Sequence, residues 1–204
     1  FVVTHGTATL EETAYMLNLT VKLKIPVVLV GAQRPATSLS TDAGLNLLNA
    51  IRVAGSPEAR GMGVLVVFND EIQAAREVVK TSTLRLQTFR TPDFGVLGHA
   101  DADKIAFYRR PLRRHAPDTD FDIRGMKDLP RVDIAFGYGG VDGTAVDAFV
   151  AAGAKGIVVA GMLPGSKVTT PVVTSTAQSV VSACSAPPTA TRTVPATGSA
   201  MARV

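Results

Sequence analysis

Four short runs of mostly apolar residues, each next to a glycine, constrain the fold of this chain more than any other feature. Each run is only four or five residues long. Nearly every position in it is apolar, so neither face of the strand would be polar. Runs of this kind are typical of strands in a parallel sheet that is covered by helices on both sides. The predicted strands are Val27–Val30, Val64–Phe68, Val132–Phe136 and Gly156–Ala160.

A helix is predicted directly after a further strand at the beginning of the chain. Thr9 and Glu12 have the Thr-x-x-Glu spacing of a capping box, which indicates a helix start. The apolar residues that follow recur at helical spacing on one face, and they are Leu10, Ala14, Leu17 and Val21.

Two more helices are predicted between the apolar runs. One begins between residues 40 and 42 and is expected to bury Leu47, Ile51 and Ala54. The other spans residues 145–152 and ends at Gly153. Strands that alternate with helices predict an α/β architecture with right-handed crossovers.

The pattern divides the chain into a larger N-terminal domain, a linker and a smaller C-terminal domain. We expect a parallel-sheet α/β domain over residues 1–108 and a charged, proline-containing linker over 109–130. A second, smaller α/β domain begins at 131 and is expected to continue to 173. Residues 174–204 are mostly Ser, Thr, Pro and Ala, so we expect a disordered or frameshifted tail there.

Charge and cysteine content exclude several classes of protein. The net charge of +4 is an end effect, because residues 1–147 are balanced and no acidic residue follows Asp147. This distribution argues against nucleic-acid binding, and no apolar stretch is long enough to predict a membrane span. One cysteine, Cys184, excludes an intramolecular disulfide, and His99 and His115 have no ligand-spaced partners, so no metal site is predicted.

The strand end near Thr4 is the most informative place for chemistry. A turn at Gly6 leads from this strand into the predicted helix at Thr9. Ligands of open α/β sheets bind at the carboxyl ends of strands, and helix N-termini there attract anions. Thr7 therefore lies where a hydroxyl can meet a substrate carboxylate or activate a water. A cap made by Thr7 and Thr9 explains the same residues equally well.

This stretch also carries a family resemblance. His5-Gly-Thr-Ala-Thr9, followed by Leu-Glu-Glu-Thr-Ala-Tyr15, resembles the His-Gly-Thr-Asp-Thr signature and helix start of the bacterial L-asparaginases in their type II form. The resemblance extends in register over residues 1–173, and several separate motifs of this length do not arise by chance. The further matching segments are Pro26–Pro35, Asn46–Ala50, Gly63–Asp70, Val78–Thr81, Phe94–Gly98, Leu129–Asp133 and Gly156–Gly161.

The resemblance implies a reaction without a cofactor. In that family a threonine on a Gly-Gly-Thr loop attacks the side-chain amide of L-asparagine, or of L-glutamine, and releases ammonia. Water then hydrolyses the acyl-enzyme. The resemblance places that loop before Phe1, so we expect this chain to be truncated at the N-terminus and to lack the nucleophile.

The resemblance also assigns site residues. Thr7 matches the second catalytic threonine, and Lys80 matches the lysine that hydrogen-bonds near it. Ala8 stands where the family has an aspartate that binds the substrate's α-amino group, which puts substrate binding at this position in doubt. Ser166 is a weak match to a residue of the smaller domain. Without the resemblance, Lys80 reads as an ordinary exposed strand end.

Assembly and location follow from the resemblance as well. It implies a homo-oligomer, a dimer of dimers, in the periplasm or secreted, and leaves a cytoplasmic form open. Ala8 and the two chain ends favour a different hypothesis, namely a catalytically inactive remnant that only associates with intact subunits. A subunit of an amidotransferase that supplies ammonia to a partner is a third hypothesis.

Overall fold

The computed structural model describes residues 1–161, and these separate into two compact units, 1–124 and 125–161. The strands of the first unit are β1 (Val2–Thr4), β2 (Val27–Val30), β3 (Val64–Phe68), β4 (Glu71–Ala74), β5 (Val79–Lys80), β6 (Phe89–Arg90), β7 (Gly98–Ala100) and β8 (Ile105–Phe107). Its helices are α1 (Leu10–Thr20) and α2 (Ala43–Gly55), and Pro57–Ala59 form a short 3-10 turn.

Six of these strands form one mixed sheet in the order β1-β2-β3-β4-β7-β8. The first three strands are parallel, with Val28 of β2 opposite Val2 of β1 and Leu65 of β3. The remaining pairs are antiparallel. The α/β class and the predicted parallel strands are therefore confirmed, whereas the antiparallel half of the sheet was not predicted.

The sheet is buried on both faces. Alternate residues of a strand point to opposite sides, so β2 and β3 each contribute side chains to two apolar clusters. Val28 and Val30 of β2 pack in one apolar cluster together with Ala50 and Val53 of α2. Val27 and Leu29 pack in a second cluster together with Leu10 and Ala14 of α1. The two helices thus cover opposite faces, which is the arrangement that the continuous apolar runs predict.

The predicted buried face of α2 is wrong at two of its three residues, and the third, Ala54, packs against the first apolar cluster. Leu47 and Ile51 are exposed and Ala54 is half-buried, whereas Asn46 and Asn49 are almost completely buried. Two polar side chains point inward because they bind the turns at the carboxyl ends of the strands. Hydrogen bonds to those turns outweigh the apolar periodicity, which would have placed Leu47 and Ile51 inside.

The antiparallel half begins with a two-residue hairpin turn between β3 and β4. Asn69 and Asp70 both have positive φ, 52° and 64°, which is the backbone of a type I′ turn. Asn46 Oδ1 accepts the Asn69 backbone N–H at 3.0 Å, and Asn49 Nδ2 donates to Asp70 Oδ1 at 2.8 Å. The turn is therefore held by α2, which packs over it.

The predicted capping box at the start of α1 is not formed. Thr9 is the N-cap residue, but its side chain makes no capping hydrogen bond. Its ψ of 22° differs from the extended backbone that directs an N-cap hydroxyl toward the first free N–H groups. The start of α1 instead carries Glu11 and Glu12 in its first turn, where negative charge is favourable.

The described part of the second unit, residues 125–161, contains β9 (Val132–Phe136), α3 (Thr144–Ala151) and β10 (Gly156–Ala160). The two strands are parallel, with Val132 opposite Gly156, so the predicted strands and helix are confirmed. Asp142 Oδ1 accepts the Thr144 N–H at 3.0 Å at the start of α3. This hydrogen bond lowers the pKa of the Asp142 carboxyl.

Residues 109–124, predicted as part of a linker, make contacts within the first unit. The Ala116 N–H donates to the Asn18 carbonyl at 2.9 Å, and Lys22 Nζ donates to Thr119 Oγ1 at 2.9 Å. The proposed domain boundaries stay predictions, and the predicted tail over 174–204 lies outside the described residues. No helix within residues 1–161 is long and apolar enough to cross a membrane.

Candidate functional site

Two of the predicted site residues meet although 73 positions separate them in the sequence. Lys80 Nζ donates a hydrogen bond to Thr7 Oγ1 at 2.8 Å, in a half-buried environment. Thr7 lies in the turn between β1 and α1, and Lys80 is the last residue of β5. The contact joins the carboxyl end of the main sheet to a strand of the separate β5–β6 sheet.

The backbone of Lys80 is held by the same segment that carries Thr7. Its N–H donates to the Glu11 carboxylate, which belongs to the first turn of α1. Sequence reasoning missed Glu11, because a glutamate in a first helical turn is explained by the helix dipole alone. No local pattern in the sequence could have indicated that its partner is 69 positions away.

The other side of the β5–β6 sheet rests on a buried polar side chain that was also missed. Lys80 pairs with Phe89 of β6, and the completely buried Gln73 of β4 donates to the Phe89 carbonyl at 2.6 Å. Thr91 donates to Gln73 Oε1 at 2.9 Å. These contacts fix β6, and through it β5, against the main sheet.

His5 orders the turn that precedes Thr7. One ring nitrogen lies 2.7 Å from the Gly6 carbonyl oxygen and the other lies 3.0 Å from Thr13 Oγ1. The His5 N–H also extends the β1–β2 pairing by donating to the Val30 carbonyl at 2.8 Å. The His5 ring therefore ties the backbone of the turn to the first half of α1.

An open depression of about 370 Å³ lies at the carboxyl ends of β1 and β2. Its lining includes Thr4, His5, Gly6, Gly31 and Leu47. The position agrees with the rule that ligands of α/β sheets bind outside the carboxyl ends of the strands. Thr7 is the next residue after Gly6, which lines the depression.

The side chains at positions 8 and 9 are exposed. Ala8 presents only a methyl group next to Thr7, so this position supplies no negative charge. Ser166, the fourth predicted site residue, lies outside the described residues.

Other polar residues are occupied elsewhere. Asp70 binds Asn49 in the hairpin turn, and the ring of His99 packs edge-on against Tyr108 with centroids 5.7 Å apart. His115 contacts the carbonyl oxygens of Arg113 and Gly61. Within residues 1–161 no group of three or more His, Cys, Asp or Glu side chains could hold a metal ion.

Comparisons with known proteins identify the family of this chain. The family model described as "Asparaginase, N-terminal" matches residues 1–113. The chain is 52% identical over 165 residues to a glutaminase-asparaginase of Pseudomonas fluorescens biotype A, covering 81% of this chain and 45% of that protein. It is 53% identical over 165 residues to L-asparaginase 2 of Bacillus subtilis, covering 81% and 44%.

A solved structure gives the same answer for the fold. The crystal structure of a probable cytoplasmic L-asparaginase from Campylobacter jejuni superposes with a TM-score of 0.78 at 43% identity. The match covers 88% of this chain and 57% of that one. The chain spans about 45% of the length of the curated relatives described above. Sequence motifs, fold and family model agree, and this chain belongs to the asparaginase family.

Proposed function

We propose that this chain carries part of the active site of an amidohydrolase that converts L-asparagine and water to L-aspartate and ammonia. L-Glutamine is a second candidate substrate, because one of the relatives is a glutaminase-asparaginase. The observation that carries the proposal is the hydrogen bond from Lys80 Nζ to Thr7 Oγ1. It brings together the two residues that the family resemblance assigns to catalysis.

The contact suits the chemistry of amide hydrolysis. A threonine hydroxyl attacks the amide carbon, ammonia leaves, and water then hydrolyses the ester that has formed. Both steps require a proton to leave a hydroxyl or a water as the new bond forms. The hydrogen bond from Lys80 Nζ holds the Thr7 hydroxyl in place, so that its oxygen can orient the attacking water. No cofactor is needed for this route.

The attacking hydroxyl comes from a different threonine in this proposal. The family resemblance places the nucleophile on a Gly-Gly-Thr loop, and that triplet does not occur in the 204 residues. Thr7 then serves the second step, in which water attacks the acyl-enzyme. The remaining parts of the site belong to segments of the family outside this sequence.

Ala8 weakens the proposed site at the substrate's α-amino group. Position 8 is exposed in the described residues, and we infer that segments of the family outside this sequence enclose it. An ammonium group that enters such an enclosed site needs a paired anion, and leaving a buried charge without its partner costs about 3–5 kcal/mol. That free energy corresponds to about a thousandfold in a rate or binding constant. We therefore infer a severe defect at this position.

Assembly and location are part of the proposal. We expect a homo-oligomer, a dimer of dimers, because the family's sites are completed by a neighbouring subunit. The type II resemblance favours the periplasm or secretion, whereas the Campylobacter relative is called cytoplasmic. A catalytically inactive chain that associates with intact subunits is the alternative, and Ala8 is the residue that favours it.

A chimaeric enzyme tests the proposal. Residues 1–161 replace the matching residues of the Bacillus subtilis L-asparaginase 2, and ammonia release from L-asparagine and L-glutamine is measured. We expect the chimaera to be about a thousandfold slower than its parent. Ala8→Asp should restore most of the rate. Ala8→Asn introduces a side chain of nearly the same size as aspartate but without its charge, and it should not restore the rate.

Lys80→Met in the Ala8→Asp chimaera completes the test. It should abolish most of the recovered ammonia release while the oligomeric state stays the same. A chimaera that works well with Ala8 would refute the inferred defect. A folded Ala8→Asp chimaera without ammonia release would refute the enzyme and favour the inactive alternative.

A further inference from the structure

We propose that Glu11 is a positioning residue that sets the backbone of Lys80 so that its ammonium group reaches Thr7. This inference deepens the proposed function and rests on it. The observation is the hydrogen bond from the Lys80 N–H to Glu11 Oε2. Neither the resemblance nor the family model assigns a role to this glutamate.

Lys80 is attached at two points to one short segment. Its side chain binds Thr7 and its backbone N–H binds Glu11, four positions further along the chain. A lysine side chain has four rotatable bonds and loses rotamer freedom when it is fixed. When the backbone of Lys80 is fixed, a larger fraction of its side-chain conformations places Nζ next to Thr7. The carboxylate acceptor makes this a charge-assisted hydrogen bond, which is stronger than a neutral one.

The other edge of β5 is fixed independently of Glu11. Lys80 pairs with Phe89, and the buried Gln73 holds the Phe89 carbonyl. Strand β5 therefore lies between a buried anchor on one side and Glu11 on the other. Loss of Glu11 frees only the side that faces Thr7, so the rest of the sheet should keep its structure.

Glu12 separates this role from the general effect of negative charge at a helix start. It follows Glu11 in the same first turn of α1, carries the same charge, and is exposed. Among the described residues it makes no hydrogen bond or ion pair. A change at Glu12 therefore removes the same favourable interaction with the helix dipole and leaves Lys80 untouched.

Amide hydrogen exchange measures the contact directly in the full 204-residue chain. In Glu11→Ala we expect the Lys80 amide to exchange about tenfold faster or more, because it loses a charged acceptor. Glu11→Gln keeps an oxygen in the same place and should restore most of the protection. Glu12→Ala should leave exchange at Lys80 unchanged. Acetylation of Lys80 by acetic anhydride, followed by mass spectrometry, should accelerate in Glu11→Ala alone.

The Ala8→Asp chimaera supplies the catalytic readout. Glu11→Ala should lower kcat about tenfold with KM within twofold, and Glu11→Gln should recover most of kcat. The proposal is overturned if Lys80 exchange in Glu11→Ala equals that in Glu12→Ala, or if kcat is unaffected. Failure of the proposed function is a different result, since an inactive Ala8→Asp chimaera or an unaffected Lys80→Met variant identifies it without reference to Glu11.

Discussion

Asn46 gives the sharpest test of how α2 is oriented. Its side chain is 2% exposed and makes three hydrogen bonds. The amide nitrogen donates to the Gly31 carbonyl and to Asp42 Oδ2, each at 3.0 Å, and the oxygen accepts the Asn69 N–H at 3.0 Å. Asn46→Ala removes all three bonds and leaves groups at the ends of β2 and β3 without a partner.

The expected cost follows from these contacts. Each hydrogen bond contributes about 1 kcal/mol net, so the three together contribute about 3 kcal/mol. Alanine recovers roughly 0.5 kcal/mol because it is the better helix former. The variant should therefore lose about 2.5 kcal/mol of unfolding free energy, or about 70-fold in the unfolding equilibrium constant.

Urea unfolding followed by circular dichroism measures this loss, with Ile51→Ala as the matched control on the exposed face of the same helix. Ile51 is 54% exposed, so its truncation should cost less than about 1 kcal/mol. The reasoning is refuted if Ile51→Ala is the more destabilising variant. That result would mean that the Ile51 side chain is buried.

Two further predictions concern the turn before Thr7 and the start of α3. A Cβ at Gly31 would lie 2.6 Å from the His5 carbonyl oxygen, so Gly31→Ala should cost about 1–3 kcal/mol by melting temperature, whereas Gly44→Ala, with open space in α2, should be neutral or stabilising. Equal effects of the two would contradict the close approach. The hydrogen bond from Thr144 lowers the pKa of Asp142, so its contribution to stability is present at neutral pH and is lost as the pH falls through that lowered pKa. An NMR titration of the Asp142 carboxyl should give a midpoint below the ordinary aspartate value, and a midpoint at or above it would contradict the cap.

The strands were predictable from the sequence because their signal is local. Val27–Val30 and Val64–Phe68 are buried on both faces, and a continuous apolar run predicts such burial. The burial of Asn46 and Asn49 was not predictable, because it depends on the backbone groups of the turn at Asn69 and Asp70. Periodicity reports which residues avoid water, and it carries no information on polar residues with specific partners.

The candidate site divides in the same way. Residues around Thr7 were identified from the strand, turn and helix that surround them, a pattern contained within thirteen residues. Lys80 was identified only through the family resemblance, since its sequence neighbourhood indicates an ordinary strand end. Glu11 and Gln73 bind backbone groups of β5 and β6. Every residue type offers such groups, so the sequence pattern could not predict these contacts.

The small size of the β5–β6 sheet has a consequence for how the chain responds to heat. Each of its strands has only two residues, and it is separate from the six-stranded sheet. Local opening of so small an element requires much less free energy than global unfolding. Phe89 of β6 belongs to the second apolar cluster, whereas no residue of β5 or β6 belongs to the first. Lys80 can therefore leave Thr7 while the first apolar cluster stays intact. Warming should thus separate loss of the Thr7–Lys80 contact from melting of the core.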